Sequence, residues 1–577
     1  MRLIPAAIVA LAALALPSAA IAHGHGHGHD SKGVKRIVVI YEENHSFDNL
    51  YGGWEGVNGL GDADAAHSTQ VNQAGTPYSC LLQNDANLAT PPLSATCHDA
   101  TTATPFDSHF TNDPFRIDDF LAPTDTTCPP PGDFSKPNGF PKGAGLPGGC
   151  TRDLVHRFYQ EQYQLDGGKQ DRYTTGSDAV GLTQGYYDTT ALPIYKYLHA
   201  PGHPRYAIAD DFFQGAFGGS FLNHQWLIAA ATPTFPGAPA DQHSVLDANG
   251  MPTSYPLYAS PGTGLKDTAI TAACGSSAPT GLACGDFAIN TIQPTYKPYS
   301  SPTALKLPPQ TAPTIGDRLS AKRVDWAWYS GGWSNANGDV GAPGWTNGDG
   351  TACTDPNTAT GAVAPNCPDK LFQYHHQPFN YFASFAPGTA ERKANLRDEA
   401  EFEALAAGSK KHCELKPVSF IKPIGAENEH PGYASEHSGS SHLVELLTSI
   451  QNSRCAKGTM VIVTYDEFGG QWDHVSPPGL GGTRGPHDEW GPGTRVPALV
   501  LSPKLHSDFV VDHTQYDTTS ILATIEHRFG LKPLTSRDAA VNSMFDAFAA
   551  KRAQVRHRNG GYGHRMHHGP GANRHRD

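Results

Sequence analysis

Lys35-Arg-Ile-Val-Val-Ile-Tyr-Glu-Glu-Asn-His-Ser-Phe-Asp-Asn49 sets a short apolar run directly against a group of carboxylate and amide oxygens. A run apolar on both faces reads as a strand buried on both sides, the pattern of a parallel sheet covered by helices. The polar residues then fall at its carboxyl end, where open α/β sheets place their ligands. Some four hundred residues on, Thr459-Met-Val-Ile-Val-Thr-Tyr-Asp-Glu-Phe-Gly-Gly-Gln-Trp-Asp-His-Val475 repeats the plan. Two strand ends carrying hard oxygen ligands, Glu43 and Asn44 on one and Asp466 and Glu467 on the other, suit one cation held between them.

Working outward, further candidate strands run over Tyr206 to Ala209, Val324 to Tyr329, Val418 to Lys422 and Val496 to Leu501, beside Arg36 to Tyr41 and Thr459 to Tyr465. Helical spacing places Leu443, Leu446, Leu447 and Ile450 on one face of His442 to Gln451, and Ile521, Leu522 and Ile525 on one face of Thr519 to Phe529. The expected fold is α/β, a mostly parallel central sheet with helices on both faces. Three stretches rich in Pro, Gly, Asn and Thr interrupt it, Asp62 to Cys150, Thr232 to Ala312 and Ser330 to Cys367, and read as insertions able to roof a site.

The 577 residues allow one large domain with insertions, assigned here to residues 35–545. Residues 1–22, with Met1-Arg2, an apolar stretch and Ala20-Ile21-Ala22, read as a secretory leader, so a secreted or periplasmic location is expected. Ten cysteines agree with export and fall as sequence neighbours, Cys80 with Cys97, Cys128 with Cys150, Cys274 with Cys284, Cys353 with Cys367 and Cys413 with Cys455. Sequential pairing is the simplest expectation, although spacing alone does not fix connectivity. Residues 23–34 are a Gly-His tract with no possible core. If the mature chain starts at His23, its amine and His25 form a chelate for copper or nickel. Residues 546–577 form a basic tail rich in His, Arg and Gly, suited to lipid head groups or simply to solvent. The formal charge of −13 counts 29 histidines as neutral, so it reverses sign in mildly acid medium, and no nucleic-acid partner is expected.

After the second candidate strand comes Asp210-Asp-Phe-Phe-Gln-Gly-Ala-Phe-Gly-Gly-Ser220-Phe-Leu-Asn223-His224, where two glycines allow close backbone approach before a hydroxyl that opens a helix. Together with Thr314 to Tyr329, His375-His376-Gln-Pro-Phe-Asn-Tyr-Phe382, His430-Pro431, Gly493-Thr-Arg-Val-Pro497 and Tyr516-Asp-Thr-Thr-Ser-Ile521, these stretches resemble the bacterial phosphoesterases. That family comprises acid phosphatases of the A type and secreted phospholipases C within the alkaline-phosphatase-like superfamily, and the matching stretches run in family order from residue 35 to about 535.

The resemblance implies a metal held by Glu43, Asn44, Ser220, Asp466 and Glu467, with Ser220 as attacking hydroxyl and His156, His375, His376 and His430 as further site histidines. As imidazolium ions these would bind phosphate oxygens, and one would protonate the leaving alkoxide. Asp473 and His474 are expected to orient ligands or to form a further ligand pair, and Asp517 is weighed in the same way. The His375-His376 block and Thr518, where the phospholipase branch commonly has histidine, favour an acid phosphatase acting on phosphate monoesters through a phosphoseryl intermediate. The alternatives are a phospholipase C acting on phosphodiester head groups, and a metal-binding protein whose functional parts are its histidine-rich tails. The oxygen-rich set suits a divalent ion, Ca, Mg or Mn, with Zn admitted by the superfamily analogy.

Overall fold

A computed structural model describes residues 33–85, 93–121, 151–275, 278–432 and 434–550. The leader, residues 23–32 of the Gly-His tract, the tail from residue 551 and the Cys128–Cys150 pair lie outside them. The centre is an eight-stranded sheet. In chain order its strands are β1 (Arg36–Glu42), β2 (Tyr206–Ala209), β3 (Trp326–Ser330), β4 (Leu396–Asp398), β5 (Val418–Lys422), β6 (Thr459–Tyr465), β7 (Ala498–Leu501) and β8 (Phe509–Asp512). Across the sheet they lie β4-β3-β5-β1-β6-β7-β2-β8.

The two quoted stretches are neighbours. β1 and β6 pair in parallel from Arg36 opposite Thr459 to Glu42 opposite Tyr465, so both chains leave the sheet at the same edge. β5 flanks β1 on the other side, again parallel, with Ile37 opposite Val418. Their apolar residues are buried on both faces, and each such Ile or Val contributes about 1.5–3 kcal/mol relative to exposure. Only β7 runs antiparallel, to both β6 and β2.

Five helices matter for the site: α1 (Phe158–Leu165), α2 (Ser220–Ala229), α3 (Glu399–Gly408), α4 (Glu436–Gln451) and α5 (Thr518–Phe529). With shorter turns they cover both faces of the sheet, as expected. α4 starts six residues before the expected His442, because Ser435 caps the Ser438 N–H while the apolar stripe begins only at Leu443. β3 is displaced toward Ser330 relative to the expected Val324 start. β7 begins at Ala498 rather than Val496, since Pro497 has no N–H for a ladder. The edge strands β4 and β8 were not anticipated, being only three and four residues long.

Four disulfides join Cys80 to Cys97, Cys274 to Cys284, Cys353 to Cys367 and Cys413 to Cys455, the expected sequential pairs. The first three staple the insertions.

Candidate active site

Three chain segments meet at the carboxyl edge of the sheet. β1 runs on into Glu43 and Asn44, and β6 into Asp466 and Glu467. The turn after β2 ends in Gly219, which caps α2, so Ser220 is the first helical residue. Gly218 adopts φ +90°, and a Cβ there would lie 2.7 Å from the Phe158 nitrogen. The turn therefore needs glycine to bring Ser220 down against α1.

Ser220 donates its hydroxyl to Glu43 Oε2 at 3.1 Å. The other oxygen of Glu43, Oε1, lies 2.9 Å from His376 Nε2 and 2.5 Å from Lys422 Nζ. Burial opposes ionisation of Glu43, but His376 and Lys422 outweigh it and hold the carboxyl well below its usual range. Lys422, at the end of β5, also donates to the carbonyls of Tyr41 and Glu42 at 2.9 and 3.0 Å.

The second carboxylate pair has only more distant imidazoles, His224 Nδ1 from Asp466 Oδ2 and His156 Nε2 from Glu467 Oε1, each at 3.6 Å. Asp466 Oδ1 accepts from the backbone N–H of Asn44 and of Glu467, at 3.2 and 2.9 Å, and Glu467 Oε2 from Gly469 N–H at 2.6 Å. Asp466 Oδ2, Glu467 Oε1 and Asn44 Oδ1 are buried without a hydrogen-bond partner. Burial pushes both acids well above the ordinary carboxylate range; Glu43 then adds to the rise at Asp466, and Asp466 to that at Glu467. Leaving one such group unpaired costs about 1–3 kcal/mol, more if charged. Crowded acids with orphaned oxygens are a donor set that fits a hard divalent cation. Asn44 itself is held at φ +60° by this turn.

The histidines divide into two groups. His376 stacks on His224, ring centroids 5.0 Å apart, and Glu43, His224 and His376 bring potential ligand atoms within 4.8 Å of one another. Burial pushes His376 down to about 4 and lowers His375, His430 and His224. On the other side, His156 and His430 each hold Nδ1 against a backbone carbonyl, Leu154 at 2.6 Å and Pro431 at 2.7 Å. A carbonyl only accepts, so each Nδ1 carries hydrogen. His156 Nε2 lies 3.6 Å from Glu467 Oε1, and Asp153 groups with this pair.

Glu43, His156, Ser220, His375, His376 and His430 all line one cavity of about 520 Å³, and Ser220 keeps 6% exposure toward it. The insertion after Thr232 contributes Tyr255, Asp267, Ile289, Asn290 and Thr291 to the same wall.

Asp473 and His474 group with Asp48, the three bringing potential ligand atoms within 4.8 Å of one another; Arg495 Nε bonds Asp473 at 3.1 Å, Arg495 Nη2 bonds Asp48 at 3.1 Å, and His474 Nδ1 contacts Asp48 at 2.5 Å. A guanidinium already supplies the positive charge there. Asp517 caps α5 through the Thr519 N–H at 2.7 Å and pairs with Arg537 at 3.2 Å. Lys422, His224 and Asp153 were not anticipated. His224 is signalled only by its i+4 spacing from Ser220, Asp153 by its i−3 spacing from His156, and Lys422 by a lone charge closing an apolar strand.

A family model described as "Phosphoesterase family" matches residues 34–532. Among curated proteins, the chain is 24% identical over 551 residues to Phospholipase C A of Mycobacterium tuberculosis, covering 89% of this chain and 77% of that one. It is 34% identical over 165 residues to Phospholipase C B of the same organism, covering 25% of this chain and 31% of that one. Over 145 residues it is 31% identical to Non-specific phospholipase C6 of Arabidopsis thaliana, covering 22% and 28%. A solved protein of the alkaline phosphatase superfamily from Vibrio parahaemolyticus aligns with TM-score 0.26 and 12% identity, covering 62% of this chain and 65% of that one.

Proposed function

The chain belongs to the Phosphoesterase family, and from that premise we propose that this phosphoric-ester hydrolase acts as a phospholipase C, cleaving phosphodiester head groups through a serine-linked intermediate. The observation that carries the chemistry is Ser220 Oγ, 3.1 Å from an ionised Glu43 at the floor of a histidine-lined cavity. The diester substrate rests on the phospholipases C named among its relatives, of which the chain spans 77% in one case.

In the first step Ser220 Oγ forms a bond to phosphorus as the bond from phosphorus to the alcohol oxygen breaks, and Glu43 Oε2 is placed to take the serine proton. The leaving alkoxide takes a proton from a site imidazolium, His156 or His430. Water then attacks phosphorus and gives a proton to that imidazole, the serine–phosphorus bond breaks, and Ser220 recovers its proton from Glu43 as the phosphorylated head group departs. Two steps replace one hard displacement. Glu43, Asn44, Asp466 and Glu467, with Ser220 beside them, would hold a divalent cation, which when bound neutralises charge on the transferring group and lowers the pKa of the serine hydroxyl. Export belongs to the same reading, which the four disulfides support.

A second reading, an acid phosphatase acting on monoesters, is favoured by Thr518, which lies buried at the start of α5 where the phospholipase branch commonly has histidine. Release of aryl alcohol from an aryl phosphorylcholine, beside phosphate release from the aryl phosphomonoester, separates them. Turnover of the diester that is lost in Ser220→Ala supports the phospholipase C. Turnover confined to the monoester moves the assignment to the phosphatase, and activity unchanged in Ser220→Ala refutes the serine mechanism.

A further inference from the structure

Glu161 is a fully buried carboxylate on α1 that the chemistry above does not use. Its Oε2 accepts from the Gly218 N–H at 2.5 Å and from Gln214 Nε2 at 2.8 Å. Its Oε1 accepts from the Thr494 N–H at 2.8 Å and from Thr494 Oγ1 at 2.9 Å. The two backbone N–H groups and the Gln214 amide are donors, so the carboxylate accepts from each of them, while burial pushes its pKa up to about 7. Contact is close enough that a Cβ on Gly493 would lie 2.5 Å from Glu161 Oε1.

Gln214 extends the clamp. Its Oε1 accepts from the Phe468 N–H at 2.9 Å, the residue after Glu467, while its Nε2 also bonds the carbonyls of Ala216 and Gly218 at 2.8 and 3.2 Å. The two side chains thus span the turn that carries Ser220 and the turn that carries Asp466 and Glu467. These turns come from strands that are not neighbours in the sheet, with β7 between them, so backbone pairing alone does not set their separation.

We infer that Glu161, acting with Gln214, is a positioning residue that fixes Ser220 Oγ relative to the Asp466–Glu467 turn, an inference that rests on the serine phosphoesterase reading. Glu161→Gln places an amide NH2 against two donors and frees one side of the clamp while nearly preserving volume. Displacement of a reacting group by an ångström costs on the order of 100-fold in rate. On full-length protein with the aryl phosphorylcholine and aryl phosphate as probes, kcat in Glu161→Gln is expected to fall about 100-fold with KM changed by less than about threefold. A kcat equal to wild type, or a loss that vanishes once rates are divided by the folded fraction from near-ultraviolet circular dichroism, overturns the inference. If Glu161→Gln does not fold, Gln214→Met decides: a drop in kcat of about tenfold at retained KM supports the clamp, and wild-type kcat overturns it. Wild type and Ser220→Ala are run alongside. Serine-independent turnover would refute the underlying mechanism, whereas serine-dependent turnover with Glu161→Gln unaffected refutes the positioning role alone.

Discussion

Arg495 shows how much of the site's architecture hangs on single charges. It is fully buried, bonds Asp473 and Asp48, and donates to the carbonyls of Asn58 and Asp210, each at 2.7 Å. Removing it strands two buried carboxylates, so Arg495→Met is expected to lose about 3–5 kcal/mol in chemical denaturation. A loss under about 1 kcal/mol would mean that the carboxylates do not depend on it. Asp466 tests the metal assignment at the same scale. Asp466→Asn keeps an acceptor for the Asn44 N–H but removes charge, and is expected to weaken binding of Mn2+ or Zn2+ by at least about 10–100-fold in equilibrium titration. Unchanged affinity would place the cation elsewhere. At this scale the sequence exposed the groups that end long apolar runs, Glu43, Asn44, Asp466 and Glu467. It hid Lys422 and Glu161, whose roles arise only when distant segments pack around them.

Elements differ in how plainly the sequence announces them. β1 and β6 are legible because both faces are buried and the apolar run is continuous. β4 and β8 are edge strands too short to carry a period, and the polar first turns of α4, held by the Ser435 cap, carry no apolar stripe. The packing of α3 on α4 has a pH signature. His442 Nε2 on α4 lies 3.0 Å from Glu399 Oε1 on α3. Burial opposes the imidazolium, but the bond to Glu399 and the fields of Glu399, Glu427 and Glu42 lift His442 to about 10. Burial raises Glu399 too, and the direction that governs the neutral range is that of the histidine. With a folded pKa above the unfolded value of about 6.5, its contribution is fully present below about pH 6.5 and is lost as pH rises toward 10. Denaturation midpoints of wild type and His442→Gln should therefore differ most in mild acid and converge in alkali. A gap that widens with pH would reverse the assigned sign.

At the scale of the molecule, the insertion from Thr232 to Ala312, which the sequence marked only by composition, turns out to supply one wall of the cavity, through Tyr255, Asp267, Ile289, Asn290 and Thr291. Its conformation depends on a disulfide and irregular turns, which have no periodicity to read. Within the sheet-and-helix body, Cys413–Cys455 closes a loop of 42 residues across α4. Chain-entropy arguments assign such a crosslink about 4 kcal/mol. Replacing both cysteines with serine is expected to lower stability by roughly that amount while leaving kcat of the folded fraction unchanged, since neither residue lines the cavity. A stability equal to wild type would show that packing alone holds α4.

In the proposed mechanism Ser220 carries the phosphorylcholine group between the two steps. Acid quenching during turnover of the aryl phosphorylcholine, followed by mass spectrometry of the peptide containing residue 220, tests it most directly. A phosphorylcholine adduct on Ser220 that appears only during turnover and is absent from Ser220→Ala is expected. Steady turnover with no adduct on that serine, together with an active Ser220→Ala protein, would contradict it.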